Sequence, residues 1–188
     1  SLSKELKQNL NTSHIPVILL TALQSDQYQI ESFRKGADEF VTKPFNPEFL
    51  VTRMKNLIEA RARLREYFRR ELICEPSEVT LTSVDEQFLK RAVEIVEENI
   101  SDPEFNVPGL IRELGTSRSA LYRKLRALVD QSANEFIKSI RLKRAAQLLT
   151  QNELTIAEIA YRVGFNDPQY FSKNFKKMFD MTPTQYAE

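Results

Sequence analysis

The chain repeats one pattern twice around a long stretch that contains neither glycine nor proline. The first copy runs VPGLIREL, then Gly115, Thr116 and Ser117, then SRSALYRKLRAL; the second runs TIAEIAYRV, then Gly164 and Phe165, then DPQYFSKNFKKMF. Each joins an apolar i, i+3/i+4, i+7 face to a glycine at a sharp turn and a second helical segment. Val107, Leu110, Leu114 and Gly115 match Ile156, Ile159, Val163 and Gly164 at an offset of 49, whereas Leu121, Arg123 and Leu125 match Phe171, Lys173 and Phe175 at an offset of 50. The second turn therefore holds one extra residue. Between the copies, Ala133 to Leu149 (ANEFIKSIRLKRAAQLL) reads as a helical strut. At roughly 1.5 Å per residue it is about 26 Å long, and with its flanking turns it can hold the two second segments about one DNA turn, roughly 34 Å, apart.

Those second segments keep basic residues on the face that their apolar residues leave free. In the first, Ser117 is placed to cap the helix and Leu121, Leu125 and Leu128 form the core face. Arg118, Ser119, Tyr122, Arg123 and Arg126 are left for groove or backbone, with Lys124 and Arg126 expected at phosphates. Arg123 is either a fork for guanine O6 and N7, or a phosphate clamp or plain surface charge. In the second segment Asp167 or Asn166 caps, and Pro168 suits the first turn. Phe171, Phe175 and Phe179 recur every four residues and read as core, leaving Gln169, Tyr170, Ser172, Lys173, Lys176 and Lys177 outward. Gln169 suits adenine, and Lys173 suits guanine or phosphate. Tyr170 can pack its ring on the domain and still offer its hydroxyl to a phosphate.

The net charge of +1 conceals an asymmetry. Residues 1–70 carry 12 Lys/Arg against 8 Asp/Glu, residues 71–106 carry 2 against 10, and residues 107–188 carry 13 against 8. The basic end fits phosphate attraction, and the acidic middle should lie away from DNA. One cysteine, Cys74, and one histidine, His14, provide neither a disulfide framework nor a zinc site. With no Gly-rich phosphate loop and no base beside Ser117, neither an enzyme nor a cofactor is expected. The absence of an apolar run long enough for a membrane span or a signal peptide leads us to expect a cytoplasmic chain without membrane contact.

The front of the chain has β-α-β grammar: a helix end (LSKELKQNL), an apolar strand (IPVILLT), a helix from near Asp26 (DQYQIESFRKG) ended by Gly36, and a short strand (EFVTK) before Pro44. The near-continuous apolar run Ile15 to Leu20 predicts a strand buried on both faces of a parallel sheet. Asp26, Asp38 and Glu39 fall at helix-start or loop positions and are expected to face solvent. From Pro47 a helix is predicted, with Asn46 as its cap. Leu50, Met54, Leu57, Arg61, Leu64 and Phe68 step by 4, 3, 4, 3 and 4, a heptad seam, so the five arginines from Arg61 to Arg70 are read as part of a linker or coiled-coil helix, with direct DNA contact as the alternative. ICEPSEVTLTSVDE reads as a linker, and a helix from about Asp85 to Asn99 should bury Phe88, Leu89, Ala92, Val93, Ile95 and Val96 while Glu94, Glu97 and Glu98 face water. The expected divisions are 1–46, 47–71, 72–84 and 85–188.

HIPVILLTA followed by KGADEFVTKPF resembles the second half of a response-regulator receiver domain. The resemblance implies that Thr21 and Lys43 are remnants of a phosphoryl-contact site and that the Lys43–Pro44 peptide is cis. It also implies that the phosphate-accepting aspartate, which that family carries on an earlier strand, is absent from this chain. Retaining only the last two strands leaves an open apolar edge, so two copies are expected to pair through this segment and the 47–71 helix.

ELGTSRSALYRKLRAL, SANEFIKSIRLKRAAQLL, TIAEIAYRVGFNDPQYFSKNFKKMF and TPTQY resemble the DNA-binding domain of AraC-type transcription regulators over roughly residues 86–186. That resemblance implies an all-α domain of two helix-turn-helix units joined by a long helix, with Ser119, Tyr122, Arg123, Gln169, Tyr170 and Lys173 facing bases of double-stranded DNA. Ile111 replaces a usual small residue, Asp130 and Asp180 stand where a glycine commonly ends each reading helix, and Ala133 replaces a frequent proline. The expected whole is a mainly α chain: a partial β/α receiver followed by a sequence-specific DNA reader, the output portion of a two-component phosphorelay. The alternative is a helical interaction module that reads no sequence.

Overall fold

The computed structural model describes residues 2–22, 36–71 and 83–187, without the side chains of 64–71 and 83. The helix expected from Asp26 and nearly all of the 72–84 linker lie outside the described residues. The chain forms two compact units, residues 1–88 with 126–130 and residues 89–125 with 131–188.

In the first unit, α1 (Leu2–Gln8) precedes β1 (Ile18–Thr21) and β2 (Glu39–Thr42), which pair in parallel from Ile18 opposite Glu39 to Thr21 opposite Thr42. Gly36 has φ 86°, and the Lys43–Pro44 peptide is cis. Helix α2 (Pro47–Glu71) follows, with Asn46 Oδ1 accepting from the Glu48 amide at 2.8 Å.

Three expectations for this unit are corrected. The strand begins at Ile18, and Ile15 and Leu20 are 47% and 44% exposed, so the apolar run is not buried along its whole length. Asp38 and Glu39 do not face solvent. Asp38 pairs with Lys7 at 2.5 Å and Arg61 at 3.3 Å and accepts from the Val17 amide, while Glu39 pairs with Arg53 at 3.1 Å. The heptad seam is also divided over its described side chains, Leu50 to Arg61, with Leu64 and Phe68 outside them. Arg61 turns to its own chain, reaching Asp38 and the His14 carbonyl, and Leu50 and Leu57 are half-buried, whereas Phe49, Val51, Met54 and Ile58 are exposed.

Helix α3 (Ser83–Glu98) buries Phe88, Leu89, Ala92, Ile95 and Val96, with Val93 half-buried; Glu97 and Glu98 face water and Glu94 does so partly. The repeated pattern then forms α4 (Val107–Leu114) and α5 (Arg118–Val129), the strut α6 (Ala133–Leu149), and α7 (Ile156–Arg162) and α8 (Pro168–Phe179); α9 (Pro183–Ala187) ends the chain. The starts of α4 and α7 differ by 49 residues and those of α5 and α8 by 50, which places the extra residue in the second turn.

Local chemistry fixes the helix starts. Asn106 caps α4, Ser117 Oγ accepts from the Ala120 amide in α5, and Asp167 rather than Asn166 caps α8 ahead of Pro168. Ser132 with Glu135 and Thr155 with Glu158 form reciprocal capping boxes on α6 and α7. The Thr155 hydroxyl and amide hold the Glu158 carboxyl below its ordinary pKa. Asp130 and Asp180, at φ 54° and 57°, adopt the left-handed conformation that usually falls to glycine.

Twelve of the seventeen strut residues are buried, so α6 is a core element rather than a one-sided surface helix. It packs on α4 of the first copy and on α7 and α8 of the second. Phe171 and Phe175 are fully buried, and Phe165, Phe171, Phe175, Phe179 and Tyr186 form a chain of ring contacts with centroids 4.5–5.7 Å apart. The Arg141 guanidinium, also buried, donates to the carbonyls of Gly164 at 2.9 Å, Asp102 at 2.6 Å and Phe105 at 3.4 Å. Burial lowers its pKa and the nearby Asp102 charge opposes the shift.

The two turn glycines, equivalent in sequence, differ in surroundings. Both have positive φ, 61° at Gly115 and 76° at Gly164. A Cβ on Gly115 meets nothing within 4 Å, whereas one on Gly164 would lie 2.6 Å from the Ile100 carbonyl oxygen and 2.9 Å from Arg141 Cζ. Gly115→Ala is expected to cost about 1–2 kcal/mol through backbone conformation alone. Gly164→Ala should cost about 3 kcal/mol or more, because backbone and a buried guanidinium must also move. Urea unfolding of the two variants measures the difference, and equal losses would contradict it.

Candidate nucleic-acid interface

The outward faces of α5 and α8 are built by subtraction. Leu121, Leu125 and Leu128 turn one side of α5 inward and Phe171 and Phe175 do the same for α8, so what remains is polar and largely basic. On α5, Arg118 and Ser119 are exposed, and Arg118 lies over the Tyr122 ring at 5.5 Å. Ser119 Oγ is 3.2 Å from Ser117 Oγ. Tyr122 is half-buried, and exposed Arg123 donates from Nε to the Ser119 carbonyl at 3.3 Å, which braces its stem along the helix. Arg126 is exposed and closes the helix end, pairing with Asp130 at 3.1 Å and donating to its carbonyl.

Lys124 is a correction. It is fully buried and cannot meet a phosphate. It lies three residues after Leu121 and four before Leu128, inside the arc that the core leucines define, and that position outweighs its charge.

On α8, Gln169, Tyr170, Lys173, Lys176 and Lys177 are exposed. Ser172 is half-buried and its hydroxyl donates to the Pro168 carbonyl at 2.9 Å, turned back onto its own helix. Tyr170, Lys173, Asn174, Lys176 and Lys177 line an open recess. Lys138, a residue that sequence spacing did not single out, reaches this face from the strut: its Nζ donates to Tyr170 Oη at 2.9 Å and to Asn174 Oδ1 at 3.1 Å. Thirty-two residues separate Lys138 from Tyr170, so no local pattern marks the pair.

Thr21 and Lys43, expected from the sequence as phosphoryl-contact residues, sit at the same end of the parallel strands, where the Lys43 amide donates to the Thr21 carbonyl at 2.6 Å. Thr21 is half-buried and Lys43 exposed. Among the described residues there is no cluster of side chains suited to a metal ion, and no helix is long and apolar enough to cross a membrane.

Comparison with known proteins agrees with this arrangement. A family described as a helix-turn-helix domain matches residues 110–188. Histidine kinase P4 of Formosa agariphila is 48% identical over 185 residues, 98% of this chain but only 14% of that protein. Regulatory protein SoxS of Salmonella typhimurium is 33% identical over 101 residues, 54% of this chain and 94% of that protein. The crystal structure of a transcriptional regulator of Chromobacterium violaceum, described as an AraC-type DNA-binding domain-containing protein, superposes with a TM-score of 0.51 at 28% identity, over 54% of this chain and 90% of that one. Two capped helix pairs on a buried strut, the helix-turn-helix match and near-complete coverage of a small regulator lead to one conclusion: the chain belongs to the AraC-type helix-turn-helix family of transcription regulators and carries its DNA-binding domain.

Proposed function

We propose that the chain reads a two-part DNA site, with α5 and α8 entering successive major-groove turns on one face of the duplex, and that it is the output portion of a larger two-component regulator. The observation that carries this reading is the buried strut, which packs on both helix pairs while the outward faces of α5 and α8 stay basic. Ser119, Tyr122 and Arg123 form the base-facing set of the first helix and Gln169 and Lys173 that of the second, where Tyr170 stands beside them with its hydroxyl toward the backbone. Arg118, Arg126, Lys176 and Lys177 supply phosphate contacts, which position the protein without reading sequence. An assembly module would not need two basic helices presented in this way.

The first unit we read as the end of a receiver domain. Its parallel strand pair, the juxtaposed ends bearing Thr21 and Lys43, and the histidine kinase that aligns over 98% of the chain support that setting. In the whole protein, an aspartate outside these residues would accept the phosphoryl group, and α2 would carry a change in receiver pairing to the DNA-binding domain. Exposed Leu20 on β1 and Phe49, Val51, Met54 and Ile58 on α2 support pairing with a second copy.

Enrichment of random duplex DNA on the chain is expected to yield two short motifs about one helical turn apart. Arg123→Ala and Lys173→Ala should each relax one motif, at a cost of about 1–3 kcal/mol. Lys176→Ala and Lys177→Ala should weaken all duplexes alike and each reduce the salt slope by about one. Absence of any enriched motif would favour the interaction module instead. In sedimentation at micromolar concentration the chain should behave as a dimer, and Ile58→Glu with Met54→Glu should yield a folded monomer; a monomeric unaltered chain refutes the pairing.

A further inference from the structure

The two helix pairs cease to be equivalent at Tyr170. Its counterpart at the offset of 50 is Ala120, which is buried, whereas Tyr170 is 49% exposed and stands beside the lysines of α8. The strut meets it there. Lys138 donates to Tyr170 Oη and Asn174 Oδ1, and its Nζ also lies 5.2 Å from the Tyr170 ring centroid. Asn174 Nδ2 donates to the Tyr170 carbonyl at 2.7 Å, and the phenol ring tilts against Phe165 at 6.2 Å.

This arrangement fixes the direction of a proton. A phenol oxygen carries one donor hydrogen and accepting lone pairs, whereas an ammonium only donates. Because Lys138 donates into the Tyr170 oxygen, the phenol's own hydrogen must point elsewhere. The recess lined by Tyr170, Lys173, Asn174, Lys176 and Lys177 lies on this face, and its three ammonium groups attract an anion. For a helix that enters a major groove, the anion it meets is a phosphodiester oxygen of the duplex.

We propose that Lys138 is a positioning residue for DNA-backbone contact: from the strut it orients the Tyr170 phenol so that its O–H donates to a phosphate oxygen held in the recess by Lys176 and Lys177. The register of α8 on the duplex is thereby set by the helix that also supports the rest of the domain. The inference rests on the DNA-reading function proposed above. The same geometry has a consequence for the free protein. The hydrogen bond from Lys138 lowers the Tyr170 pKa and the Lys138 charge adds to this; burial opposes them, and Asn174 and the Lys173 charge contribute less.

The test uses the full chain in two measurements. Without DNA, the Tyr170 ring resonance, assigned through Tyr170→Phe, is followed against pH. Lys138→Met should move its titration up toward the ordinary tyrosine value, and Lys138→Arg should keep it low. With DNA, an enriched duplex and a scrambled one are titrated at stepped salt. Lys138→Met and Tyr170→Phe should each weaken both duplexes about fivefold, the scale of one net hydrogen bond. Their combination should be no weaker than either alone, Lys138→Arg should bind nearly as the unaltered chain does, and the salt slope of Lys138→Met should be unchanged.

A slope reduced by about one would show Lys138 itself on a phosphate, multiplicative losses would show independent action, and a loss confined to the enriched duplex would place Tyr170 on a base. Each of these overturns the proposal, as does a Tyr170 titration indifferent to Lys138→Met. Failure of the unaltered chain to bind any duplex would defeat the DNA-reading function, and the free-protein titration would still report whether Lys138 holds the phenol.

Discussion

Arg141 carries a charged planar fork into the interior of the second unit and gives it to three backbone carbonyls: Gly164 in the second turn, and Asp102 and Phe105 in the segment between α3 and α4. Burial penalises the charge, and the carbonyl dipoles offset that penalty only because the fork's donors point in fixed directions that match them. Shortening the side chain would strand the buried Gly164 and Phe105 carbonyls, each costing about 1–3 kcal/mol. The fork also requires a glycine, since any Cβ at 164 would press on the guanidinium and on the Ile100 carbonyl. Strut, turn and loop therefore specify one another.

The same helix acts a second time one turn earlier. Lys138 and Arg141 are three residues apart, so their side chains leave neighbouring positions on α6. Arg141 goes inward to hold the turn ahead of α8, and Lys138 goes to the phenol and amide on α8 itself. The first helix pair makes a different use of equivalent sequence. Its turn glycine has open space, and its counterpart of Tyr170 is a buried alanine. The copies share a pattern of helices while the strut supports them by different chemistry, and the second is the more closely held at its turn.

What could be read from the sequence is what depends on near neighbours along the chain. The two helix pairs, the single extra residue in the second turn, the caps at Ser117 and Asp167, and the burial of Phe171 and Phe175 all follow from periodicity or from a side chain meeting an amide two or three residues away. Readings that failed needed a partner or a covering layer set by the fold. Asp38 and Glu39 look solvent-facing until Lys7, Arg61 and Arg53 arrive from other elements. Lys124 looks like a phosphate ligand until its place within the leucine arc is weighed. The run ending in Leu20 looks doubly buried, yet only one neighbouring strand pairs with it among the described residues. Lys138 was invisible for the same reason, and Arg141 was counted in the basic total when its charge is directed to the interior.

The central claim is that one chain reads two DNA motifs through helices held at a fixed separation by a buried strut. It is tested most directly by the affinity of the chain for its enriched duplex after five base pairs are inserted between the motifs, about half a helical turn. The inserted half-turn carries the second motif to the opposite face of the DNA, so affinity should fall to that of a duplex bearing one motif alone. Binding that is undiminished by the insertion would contradict the claim, because it would show that α5 and α8 do not read the duplex together.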